Sequence, residues 1–162
     1  MLTSLSSWLE KTSLSIAIQD VSWVIPFCQT VHILCLALVL SSVVFLDVRL
    51  MGIGPHRIPV SALAKRFLPP TWGAVAVMAL TGAVLVIGEP QRDLPNMVFQ
   101  IKMLLLVCVL AVTSIIQARI AANPNAWGDG IASWPARIAG AVSLLLWLGI
   151  ATCGRFIAYF LA

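Results

Sequence analysis

The sequence predicts an all-α polytopic membrane protein: a four-helix up-down transmembrane bundle preceded by a short N-terminal amphipathic helix. Three observations carry this. Hydrophobic residues fill 60% of the 162 positions and charged residues only 10%, with a mean hydropathy of +1.01. A soluble domain of this size needs far more charge to cover its surface. Val21 to Leu46 is a run of 26 residues without a formal charge, and roughly 20 suffice to cross the hydrocarbon. Charges and prolines then cut the remainder into three further apolar runs of similar length.

Residues 1–20 form the first segment. They lack a basic n-region and a continuous apolar core, and they contain Glu10 and Asp20, so they do not read as a signal peptide. Leu5, Trp8, Leu9, Thr12 and Ile16 recur at helical spacing opposite Ser4, Ser7, Glu10 and Lys11. That pattern predicts an amphipathic helix lying in the membrane interface, and fits equally a helix packed on the end of the bundle.

Residues 21–162 form the transmembrane domain. Span one covers about 21–50, with Asp20 as its expected N-cap and Pro26 in the first turns, where a proline is cheapest. Span two covers about 67–88, opened by Pro69 and Pro70 and closed before "EPQRDLPN". Span three covers about 96–120 and ends in the turn-rich "AANPNAWGDG"; span four follows Trp134-Pro135 and covers about 136–160. Only helices or closed barrels satisfy their backbone groups in lipid, and these runs are too long for barrel strands. Small residues four apart, Ala136 with Gly140, Ala139 with Ser143 and Gly149 with Cys153, allow close helix approach.

Charge sets the expected orientation. Arg49, Arg57, Lys65 and Arg66 surround the first loop, and Arg119 and Arg137 border the third. The other side holds Lys11, Arg92 and Arg155, with Lys102 a turn inside its span. The positive-inside rule therefore places loops one and three, with His56, in the cytoplasm and both termini outside. The net charge of +4 includes no basic cluster long enough for nucleic acid. Cys28, Cys35, Cys108 and Cys153 all fall in apolar segments, which disfavours a disulfide framework. There is no Walker motif, no HExxH, no glycine-rich dinucleotide turn and no intramembrane carboxylate pair.

Four stretches carry a family resemblance: "P-F-C-Q-T-V-H-I-L", "L-D-V-R-L-M-G", "F-Q-I-K-M-L-L-L" and "L-W-L-G-I-A-T-C-G-R-F-I-A-Y". In this order, from Trp23 onward, they resemble a family of small bacterial four-helix membrane proteins catalogued as a domain of unknown function. The resemblance implies fold and topology and no reaction. Relatives often carry an acidic residue where this chain has Gln29, three before the histidine. A looser likeness, a span-one histidine with F-x-x-K opening a later span, is to small membrane b-type cytochromes and haem-pathway oxidases, as analogy.

His32 is the one intramembrane histidine. It lies nine residues beyond Trp23, roughly 13 Å along the helix. At the same depth fall Met78 to Thr81 on span two, Met103 to Cys108 on span three, and Trp147 and Gly149 on span four. An ionisable group there tends to face the bundle interior and mark a site; the alternative is a neutral imidazole bonded to Gln29, Thr30 or a partner helix. A mid-bundle imidazole suits an axial haem ligand. Met103 or Met78 would complete it or leave it open, Lys102 and Arg155 would pair with propionates, and Trp147, Phe99 and Trp23 would line the ring. Cys28, His32 and Cys35 share a helix face and offer a soft metal site for copper.

Lys102 is also explained by snorkelling to the interface, with Glu89 and Asp93 as ion-pair partners for it and Arg155. These charges make an outward polar cluster suited to an anion or a quinone head group. At the cytoplasmic end, Asp47, Arg49, Arg119 and Arg137 are expected to form a structural ion-pair clasp, with a proton relay beside Gln117 and Trp72 as the other reading.

The expectation from these residues is a bacterial inner-membrane protein that holds a redox cofactor, haem b, through His32. It would transfer electrons, or act on a small redox substrate, near the outer face with a quinone or periplasmic partner. The alternatives are a cofactor-free transporter or scaffold subunit, alone, as a homo-oligomer or in a membrane complex, and a copper-binding protein.

Overall fold

A computed structural model describes residues 2–53, 59–122 and 133–157. His56, Arg57 and the far end of span four lie outside the described residues. The described chain forms α1 (Leu2–Glu10), α2 (Ser13–Asp20), α3 (Val24–Leu50), α4 (Val60–Gly88), α5 (Pro90–Asp93), α6 (Met97–Ala122) and α7 (Trp134–Phe156). No strand occurs among the described residues. Helices α3, α4, α6 and α7 are each long and apolar enough to cross a membrane.

The bundle is built as lipid requires. Large apolar side chains such as Phe27, Leu34, Leu80, Leu104 and Leu145 are exposed on its outside, while Ser42, Thr71, Thr113 and Ser143 are buried. Lipid tails solvate the former at no cost, and the hydroxyls must find partners inside.

Helix α3 packs along α4 and also on α7; α6 packs on α7, and α4 meets α6 only lightly. The cyclic order is therefore α3–α4–α6–α7, with its loosest seam between α4 and α6. Antiparallel register shows in two α3–α4 pairs: Phe45 stacks on Phe67 with ring centroids 5.5 Å apart, and His32 meets Thr81. At the Asp47 end, Leu46, Leu50, Ala64, Leu68, Ile116 and Ala136 form one core layer. In the centre, Val39, Ala74, Met78, Val109, Trp147 and Ile150 form a second. No such layer fills the His32 end among the described residues. Gly140 brings α7 against α3, since a Cβ there would lie 2.8 Å from the Asp47 carbonyl oxygen.

Three local expectations change. Helix α4 begins at Val60, a turn and more before the expected start, and carries Pro69 and Pro70 inside it. The two prolines leave the Lys65 and Arg66 carbonyls without their usual donors; both residues are exposed near the helix end, where water substitutes. Asp20 closes α2, and Trp23 stands at the N-cap position of α3 without a side-chain cap bond. The N-terminal segment is two helices, broken where the Thr12 hydroxyl accepts from the Ser15 amide at 3.3 Å.

These two helices pack on the bundle end through their small residues. Ser6 and Ser15 are fully buried, while Trp8 is 65% exposed and Leu5 and Ile16 point outward as well. The Ser15 hydroxyl donates to the Ile87 carbonyl at 2.7 Å, one of the last-turn carbonyls that α4 cannot satisfy internally.

Candidate functional site

His32 sits in the third turn of α3, half-buried against α4. Its Nδ1 is 2.9 Å from Thr81 Oγ1. The Thr81 hydroxyl donates its own proton to the Val77 carbonyl, 2.9 Å away. With the hydroxyl proton on that carbonyl, the threonine oxygen accepts from the ring and Nδ1 carries the hydrogen; in the other tautomer the hydroxyl donates to Nδ1 instead. The Met78 carbonyl is a further acceptor for the ring. Gly82 makes room beside it: an added Cβ would lie 3.4 Å from His32 Cε1. Of the partners expected for His32, the structure selects a neighbouring helix. Thr30 bonds the Pro26 carbonyl of its own helix, and Gln29 is exposed. Depth along the helix was the sequence signal that held Thr81; Gly82 gave none.

Lys102 is half-buried on α6. A Cβ on Gly154 would lie 3.8 Å from Lys102 Nζ, so the ammonium rests over that bare backbone of α7. Its charge reaches both His32 and Asp93. Asp93, in the α4–α6 connection, has its carboxyl pushed up from the usual range by burial, opposed by Arg92, reinforced by Glu89 and opposed by Lys102. Glu89 pairs with Arg92. The outward polar cluster thus gathers Lys102, Asp93, Glu89 and Arg92. Arg155 is exposed and engaged in contacts of its own.

The other residues singled out for a cofactor are dispersed. Met78 is buried in the central core layer, as is Trp147, whose Nε1 has no hydrogen-bond partner. Met103 is 43% exposed on the outside of α6. Trp23 is exposed and meets Phe27 edge-on at 6.0 Å, and Phe99 is half-buried. Cys28 and Cys35 are half-buried and all four cysteines are free. Among the described residues no group of three His, Cys, Asp or Glu side chains converges in a way that would hold a metal ion.

At the opposite end of α3, Asp47 is 1% exposed. Ser143 on α7 hydrogen-bonds its carboxyl, and Oδ2 has no partner. Among the described residues no ion pair includes Asp47. Arg119 and Arg137 are exposed, and Arg49 is buried with contacts of its own. Trp72 Nε1 donates to Gln117 Oε1 at 2.7 Å, tying α4 to α6.

A family model described as "Family of unknown function (DUF6644)" matches residues 6–160. No curated protein and no solved structure matches the chain. The likeness to small b-type cytochromes and haem-pathway oxidases finds no support in these comparisons.

Proposed function

The chain belongs to this family, DUF6644, which has no known function, and on that premise we propose a reading from its own site. The protein is a multi-pass protein of the bacterial inner membrane that holds haem b at Nε2 of His32. Bound haem would supply a one-electron couple. The single observation that carries the reading is the anchoring of His32: its Nδ1 is hydrogen-bonded to Thr81 of α4, and with Nδ1 so engaged Nε2 would be the ligating nitrogen. That outer hydrogen bond fixes tautomer and ring orientation, as it does for metal-bound imidazoles generally.

Within this reading, Thr81 is a positioning residue, and Lys102 offers a charge for a propionate. Met78 is committed to the core and Met103 faces outward, so neither would hold the group together with His32. The outward charges around Lys102 suit a quinone or periplasmic redox partner.

The test is the absorption spectrum of detergent-purified protein from haem-replete cells, oxidised and dithionite-reduced, with metal analysis. We expect a Soret band and reduced α and β bands that disappear in His32→Ala. In Thr81→Val the bands should persist with a shifted midpoint potential, which loss of packing alone would not produce. A colourless, metal-free sample overturns the reading. Copper without a Soret band, dependent on Cys28 and Cys35, would replace it with the soft-metal alternative. A second reading, a cofactor-free transporter, is favoured by one observation, the buried carboxyl of Asp47 with no hydrogen-bond partner at Oδ2.

A further inference from the structure

The two N-terminal helices carry large apolar side chains that the bundle leaves uncovered. Leu5 and Trp8 of α1 and Leu14 and Ile16 of α2 are exposed, as are Val21, Trp23 and Phe27 where α3 begins. Such a concentration is rare on a surface that meets water, and it marks contact with lipid or with a partner. The level of these helices is fixed by their contacts. Ser15 bonds the Ile87 carbonyl, and a Cβ on Gly88 would lie 3.1 Å from Ile18 Cγ2 and 3.3 Å from Ile25 Cδ1. Helix α2 therefore stands beside the last turn of α4 and the first turn of α3, where two apolar spans end. That level is the boundary between hydrocarbon and head groups. Gln91 of α5 donates to Glu10 Oε2 at 2.5 Å, tying the polar side of α1 to the α4–α6 connection.

Helix geometry divides each element into sides. At about 3.6 residues per turn, Leu5, Trp8 and Leu9 fall on one flank of α1 and Ser4 and Ser7 on the other, with Ser6 buried between them against the protein. On α2, Leu14 and Ile18 share a flank, Ile16 and Asp20 lie opposite, and Ser15 is buried between. We propose that α1 and α2 dock into the lipid leaflet at this end of the bundle, with Leu5, Trp8 and Leu14 inserted toward the acyl chains. The occupant is lipid because the uncovered side chains continue, through Val21 and Trp23, into the lipid-facing surface of α3, where Trp23 meets Phe27 edge-on. Trp8 and Trp23, each 65% exposed, suit this boundary, since an indole joins an apolar body to one polar N–H. Exposed Lys11 stands beside them to meet a lipid phosphate. The segment thus has three sides, serine toward protein, apolar toward lipid and polar toward water, so packing on the bundle and lying in the interface are met together. Neither His32 nor Lys102 takes part, and the contact is independent of the haem reading.

The experiment reconstitutes the full chain in vesicles of phosphatidylethanolamine and phosphatidylglycerol that contain a phosphatidylcholine with a diazirine near the top of one acyl chain. After illumination, labelled residues are mapped by mass spectrometry, with a water-soluble diazirine as the parallel arm. The expected result is lipid label on Leu5, Trp8 and Leu14 as well as on Trp23 and Phe27, and aqueous label on Ser4, Ser7 and Lys11. Lipid label on Trp23 and Phe27 with Leu5, Trp8 and Leu14 blank overturns the proposal. Aqueous label on those three would then place the segment in water, and no label in either arm would mean that a second copy or another protein covers it. In the double variant Leu5→Asn, Trp8→Asn, both side chains being exposed, α3 and α4 should keep their amide protection in vesicles while α1 loses its own. Unchanged exchange in α1 also overturns the proposal.

Discussion

At Gly140 the tolerance for a side chain is set by a backbone atom. An added Cβ would stand 2.8 Å from the Asp47 carbonyl oxygen and 3.1 Å from Leu50 Cβ, and neither can swing away as the tip of a flexible side chain would. Gly140→Val must therefore part α3 from α7. We expect a loss of about 1–3 kcal/mol, the usual cost of overpacking, read as a fall in thermal midpoint in detergent. Gly73→Ala is the control, because nothing lies within 4 Å of a Cβ there; it should be neutral or stabilising by about 0.5–1 kcal/mol through helix propensity. The spacing of Ala136 and Gly140 marks a small-residue stripe in the sequence. That α3 covers it is decided by the fold.

Among the elements, α2 owes its position to one hydroxyl. Ser15 supplies the proton that the Ile87 carbonyl lacks at the end of α4, and Thr12 caps the helix that carries it. Ser15→Ala should cost about 1 kcal/mol, the net value of a buried hydrogen bond. Hydrogen exchange should show faster amides in α2 while α3 and α4 stay protected. Unchanged exchange would mean that apolar contact alone holds the segment. The two-helix form also shows where periodicity misleads near a membrane. Leu5, Trp8 and Ile16 make a legible apolar stripe, but these three face outward while Ser6 and Ser15 face the protein. Hydrophobic pattern alone cannot tell a lipid-facing side from a core-facing one.

For the molecule as a whole, packing is uneven along the bundle axis. Core layers fill the centre and the Asp47 end, while His32, Thr81, Lys102 and Cys153 at the other end remain half-buried. The basic residues that flank the α3–α4 and α6–α7 connections predict that the Asp47 end faces the cytoplasm. Alkaline phosphatase fused after the C-terminus should then be active, and green fluorescent protein at the same point dark. The reverse pattern would turn the His32 end inward and replace a periplasmic partner with a cytoplasmic one.

The sequence by itself determined the class, the four spans, their up-down order and the depth of each polar residue. Those follow from apolar run length and from a fixed rise per residue. It reached His32 and Asp47 as the polar positions to explain, and it held Thr81 at the depth of His32. Helix faces were beyond it, because spans that are apolar all round carry almost no periodic signal to say which side turns inward. Only the tertiary structure decided that Thr81 orients the His32 ring. It also decided that Asp47 meets Ser143 while Arg119 and Arg137 stay exposed, and that Met78 is buried in the central core while Met103 faces outward. Each of these depends on the rotation of one helix against another, and in a bilayer that rotation is chosen by small-residue contacts and buried hydrogen bonds across the whole bundle.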